Sequence, residues 1–66
     1  MTQVEIVARL RALSGEMITL GTAMDYFGGF DGRMVQHGRE LVGAGLVAHE
    51  WAEDIEQEAG AGETAT

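Results

Sequence analysis

His37, His49, Ser14 and eleven carboxylates are the side chains of this 66-residue sequence that could move a proton or attack a carbon. There is no cysteine. The histidines lie twelve residues apart, which on a helix sends them to different faces, and neither belongs to an HExxH arrangement. His49 precedes Glu53 by four residues, the spacing of an ordinary surface pair on a helix. His37 shares a face with Leu41 and Ala48 and reads as a partly buried structural residue. Ser14 is the only serine and falls in mid-helix. No nucleophile, base and orienting group can be assembled from this set. No enzyme, no cofactor and no metal site is expected.

Charge narrows the remaining classes. The formal net charge is −7, with no lysine and only Arg9, Arg11, Arg33 and Arg39 as cations. Residues 1–33 balance three of them against Glu5, Glu16, Asp25 and Asp31. Residues 34–66 set Arg39 against Glu40, Glu50, Glu53, Asp54, Glu56, Glu58 and Glu63. A nucleic-acid backbone requires clustered cations, so direct binding to one is disfavoured. The complement of such a chain is a basic protein surface. One alternative is a small anionic ligand gripped at an oligomer junction by arginines of several chains.

No uncharged apolar run approaches a membrane span, and the N-terminal MTQVEIVARLR has both acid and base inside its first turns, which is wrong for a signal peptide. A cytoplasmic protein is expected, and the lack of cysteine suits that compartment.

These side chains must be positioned by helices. Thr2-Gln3-Val4-Glu5 is a capping box, with Met1 and Ile6 at the staple positions. Ile6, Leu10, Leu13, Met17, Leu20, Met24 and Phe27 then recur at alternating spacings of four and three, a heptad-like seam. A helix over 3–27 is predicted. Asp31 is an N-cap for a second helix over 32–59, where Gly60 offers a stop. Ala44, Ala48 and Ala52 form a small-residue row against which the bulky seam of the first helix can lie.

Between the helices stands MDYFGGFDG, Met24 to Gly32. It lacks the alternating oxygen ligands of a calcium loop, and the glycines neither follow a strand nor precede Lys-Ser/Thr. Gly28 and Gly29 suit a left-handed helix C-cap, so the segment is a corner over 28–31. A short connection makes the helices antiparallel neighbours. Tyr26, Phe27 and Phe30 either plug the end of the hairpin or form an exposed contact tip. The expected organisation is an all-α antiparallel helical hairpin over 1–59 with a disordered tail over 60–66.

A hairpin uses one stripe per helix, and this sequence has more apolar material than that. Val35, Val42 and Leu46 line up away from the alanine row, and Val7 and Ile18 lie beside the first seam. Surplus apolar surface marks an interface. The sequence therefore predicts a homodimer forming a four-helix layer through Val35, Val42, Leu46, Val7 and Ile18.

HEWAEDIEQE, His49 to Glu58, is the other surplus feature. Glu50, Asp54 and Glu58 form one row at i, i+4, i+8, beside Val47 and Trp51. Like charges at this spacing repel, and the helix dipole favours cations at its C-terminal end. One reading is a solvated acidic end that maintains solubility. The other is a docking surface with Val47, Glu50, Trp51, Asp54 and Glu58 as contacts, Trp being the type most enriched at binding hot spots.

The capped helix TQVEIVARLRAL, the corner FGGFDG and the acidic helix LVGAGLVAHEWAEDIEQE together resemble very small, cysteine-free, acidic helical proteins that temperate phages encode to disarm host systems. Anti-quorum-sensing and pilus-motor-blocking proteins of Pseudomonas phages are similar in character, as are some anti-CRISPR proteins. The likeness is one of type across nearly the whole chain, and no residue carries over position by position. It implies a dimeric helical hairpin that binds a host regulator or ATPase and blocks a working surface. A purely structural assembly module is the further alternative.

Overall fold

The computed structural model describes the backbone of residues 1–64 and the side chains of residues 1–59. Thr2 opens the first helix: its backbone is extended and its hydroxyl accepts the Glu5 amide at 3.2 Å. That satisfies one of the amides a helix N-terminus leaves without a partner. Helix α1 runs Gln3–Phe27. The chain turns through Gly28–Asp31, where the Asp31 amide donates to the Gly28 carbonyl at 2.8 Å. Asp31 then caps the second helix, its Oδ1 accepting the amides of Arg33 at 3.1 Å and Met34 at 3.4 Å.

Helix α2 spans Gly32–Thr64, five residues beyond the limit expected at Ala59. Gly60 does not stop it. Gly29, with φ of 55°, is the one described residue in the left-handed region. Of the tail expected over 60–66, residues 60–64 continue the helix, and 65–66 lie outside the described residues.

The helices are antiparallel: Gln3 reaches Ile55, Ser14 reaches Gly45, and Asp25 pairs with Arg39. The protein is thus an all-α hairpin, 56 Å long and only 17 by 13 Å across. No strand occurs among the described residues. Since one helix with side chains is about 10–12 Å in diameter, the molecule is a single layer of two helices.

The contact between the helices is closer at its centre than bulky residues laid on small ones. There small residues meet small residues, while Met24 and Met17 of the predicted seam flank them against Gly38 and Gly45. Ser14 and Gly21 in α1, seven apart, meet Gly38 and Gly45 in α2, also seven apart, and all four are buried. Ala48 and Ala52 complete the strip, with Ala52 at 0 % exposure, while Ala44 of the expected row is exposed. A methyl built on Gly21 would stand 2.5 Å from the Gly38 carbonyl oxygen, and one on Gly38 would stand 2.6 Å from the Gly21 carbonyl. Such an approach of backbone to backbone is open only to residues without a Cβ.

Gly28 follows the same logic. Its backbone is right-handed, and a methyl there would meet the Met24 carbonyl and Val35. It serves close packing, and Gly29 alone supplies the left-handed turn.

Among the larger apolar residues Val7 is buried, and no large side chain is fully sealed from solvent. The seam Ile6 to Phe27 is therefore only partly interior, with Leu10, Met17 and Met24 half-buried. Leu13 is 50 % exposed and Leu20 58 %.

Candidate interaction surface

The hairpin has two unlike faces, defined by its ion pairs. Arg11 grips Glu56 through two nitrogens at 2.9 and 3.0 Å, and Arg39 holds Asp25 at 3.3 Å. Arg11, Ile18 and Asp25 recur at intervals of seven, as do Arg39, Leu46 and Glu53, so these rows share one side. Hydrogen bonding to Arg11, and secondarily its charge, holds the Glu56 carboxyl below its ordinary range and raises the Arg11 guanidinium in turn. A groove of about 280 Å³ opens on this side, walled by Val4, Ala8 and the Arg11–Glu56 pair.

The opposite face carries no Asp, Glu, Arg or Lys across its centre. From α1 it takes Ile6, Leu10, Leu13, Met17, Leu20 and Met24; from α2 it takes Leu41, Ala44, Trp51 and Ile55. Leu10, Met17, Met24, Leu41 and Ile55 are half-buried at its base, and Ile6, Leu13, Leu20 and Trp51 stand out from it. The register that sets Ser14 against Gly45 and Gln3 against Ile55 brings Trp51 abreast of the Val7–Leu10 turn. An unpartnered face of this extent is unusual on a lone soluble domain.

The docking residues expected from the sequence divide between two surfaces. Val47, Glu50, Trp51, Asp54 and Glu58 are all exposed. Trp51, at 57 % exposure, belongs to the apolar face with Leu13. Glu50 and Asp54 occupy the outer edge of α2, turned away from α1, and Val47 lies between them and Trp51.

The residues expected to join two copies are differently disposed. Val7 is buried inside the hairpin, with only its edge lining the groove beside Val4 and Ala8. Val35, Val42 and Ile18 are half-buried, each packed where it closes the inter-helix seam beside Gly28, Gly21 and Gly45 respectively. Only Leu46 of that set is exposed, on the ion-paired side.

His49 pairs with Glu53 at 3.1 Å, as its spacing predicts. His37 is a correction: it is exposed and bonded to Glu40 at 3.0 Å rather than partly buried. The aromatic tip is also outside. Tyr26 and Phe27 stack edge to face with centroids 4.9 Å apart, and Phe30 projects fully into solvent. Plugging of the hairpin end is not observed.

Ser14 has a role that periodicity does not reveal. Its hydroxyl is buried and donates to the Gly45 carbonyl at 2.6 Å. Among the described residues no group of three His, Cys, Asp or Glu is arranged to hold a metal ion. None of the described helices is long and apolar enough to cross a membrane. Comparison with protein-family models, curated proteins and solved structures finds no match to this chain.

Proposed function

We propose that this chain is a non-enzymatic protein–protein interaction module that docks on a basic surface through the acidic second half of α2. It acts as an inhibitor of the phage type, occupying a working surface of a host regulator or ATPase. The observation that carries the reading is the row Glu50, Asp54 and Glu58. All three carboxylates are exposed, and none forms a salt bridge among the described residues.

Helix stability does not explain this row. Carboxylates four apart repel. A cationic partner relieves that repulsion. Arg11 and Arg39 are each held by a carboxylate of the same chain, which weighs against a small-anion binder built on them.

The test is capture from a bacterial lysate by the wild-type chain and by Glu50→Lys/Asp54→Lys. Wild type is expected to retain a discrete protein that the double variant loses at unchanged helicity, with retention weakening as salt is raised. Equal capture by the charge-reversed variant removes the docking role.

A further inference from the structure

We propose that the apolar face bearing Leu13, Leu20 and Trp51, edged by Arg9 beside Leu10 and Leu13, is covered by a second copy of this chain, packed face to face and antiparallel about a two-fold axis. This interface uses other side chains than the basic-partner reading and stands or falls separately from it.

Area is the first argument. The chain exposes 5027 Å². A folded monomer of 7.1 kDa is expected to expose roughly 4,100 Å² by the size scaling of compact proteins, leaving an excess of roughly 900 Å². A standard interface takes about 800 Å² from each partner. A surplus of this size is large enough to supply one half of a standard interface.

Periodicity is the second. Ile6, Leu10, Leu13, Met17, Leu20 and Met24 keep a four–three spacing along most of α1; the hairpin half-buries Leu10, Met17 and Met24 and leaves Ile6, Leu13 and Leu20 exposed. A straight apolar seam of this length requires a helix of the same length and period as its partner. The second copy supplies one by symmetry.

Charge sets the direction. The corner half, residues 20–41, carries Arg33 and Arg39 against Asp25, Asp31 and Glu40. The open half, residues 1–19 and 42–59, carries Arg9 and Arg11 against Glu5, Glu16, Glu50, Glu53, Asp54, Glu56 and Glu58. A parallel pair would bring the two strongly acidic ends together. The antiparallel pair puts them at opposite poles and lays each acidic end near the partner's corner, where the excess of negative charge is smallest.

Sedimentation of the full chain at micromolar concentration tests the proposal. Wild type is expected at twice 7.1 kDa. Leu13→Glu and Leu20→Glu are expected to weaken association at least a hundredfold, while Leu46→Glu, on the ion-paired side, leaves it unchanged. A wild-type monomer, or dimers that persist in both face variants, overturns the proposal.

Should the glutamate variants lose helicity, single cysteines in the otherwise cysteine-free chain decide. Met17→Cys, near the two-fold axis, is expected to cross-link readily, and Phe30→Cys, at the poles, is not. Cross-linking at Phe30 in preference to Met17 overturns the antiparallel arrangement. Glu50→Lys/Asp54→Lys is expected to stay dimeric whether or not it captures a partner, which separates the two readings.

Discussion

The Ser14 hydroxyl reaches across the hairpin to donate to the Gly45 carbonyl at 2.6 Å, and only 2 % of Ser14 is exposed. The carbonyl lies in mid-helix and already serves the α2 ladder, so the hydroxyl uses its second lone pair. This bond fixes both the depth and the register at which the helices meet. Ser14→Ala is expected to lose about 1 kcal/mol, the usual net value of a buried hydrogen bond. Ser14→Leu forces the backbones apart and is expected to lose about 1–3 kcal/mol or more, as overpacked cores do. Chemical denaturation of both variants at one protein concentration measures the difference.

Glycines in this chain divide into two groups with opposite expectations. Gly21 and Gly38 face carbonyl oxygens of the opposite helix, which cannot rotate away. Alanine at either is expected to destabilise by about 1–3 kcal/mol. Gly15 and Gly43 are helical and exposed, with nothing within 4 Å of an added methyl. Alanine at those positions is expected to stabilise by about 0.5–1 kcal/mol through helix propensity and a less disordered unfolded chain. Melting temperatures that move the same way for all four would refute the close-approach account.

Acid should release the Arg11–Glu56 pair. The folded Glu56 carboxyl titrates below its ordinary value of 4.5, so its contribution is fully present above that pH. It is lost as pH falls through the lower, folded value. The stability difference between wild type and Glu56→Gln is therefore expected to be constant at neutral pH and to shrink toward zero as pH drops below about 4.3, the unperturbed glutamate range. Paired melts from pH 7 to pH 3 check the slope. A gap that widens on acidification has the wrong sign.

Salt should strengthen association between copies. Each chain carries a net charge of −7, and the proposed contact face holds no charged residue at its centre. Screening removes repulsion without removing any attraction at that face, because the Debye length falls from about 30 Å at 0.01 M to about 8 Å at 0.15 M. The dimer dissociation constant is expected to fall over that range. Capture of a basic partner should respond in the opposite direction, so the two contacts are distinguishable by ionic strength alone.

Most local signals in the sequence carry through to the structure, the stop at Gly60 and the left-handed cap at Gly28 excepted. Thr2 and Asp31 cap as their side-chain chemistry requires, α1 ends at Phe27, and the corner is short enough to enforce antiparallel helices. What periodicity misassigned was the inside. The seam from Ile6 to Phe27 is the strongest apolar repeat in the chain, yet Leu13 and Leu20 on it stay exposed. In the hairpin, the row Ser14, Gly21 and Gly28 lies one position along from it and faces Gly38 and Gly45, so the backbones close with Leu13 and Leu20 left outside. The signal was present as small residues spaced by seven in both helices. Val7 belongs to that same row, which is why it lies inside the hairpin. The separation of Trp51 from Glu50 and Asp54 was not legible, because it depends on which side of α2 turns toward α1.

An interior built from glycine, alanine and serine stores little of the driving force that holds most domains together. For such a chain dilution acts as a denaturant: whatever coats its leucines contributes to folding by mass action, and its melting point should climb with concentration.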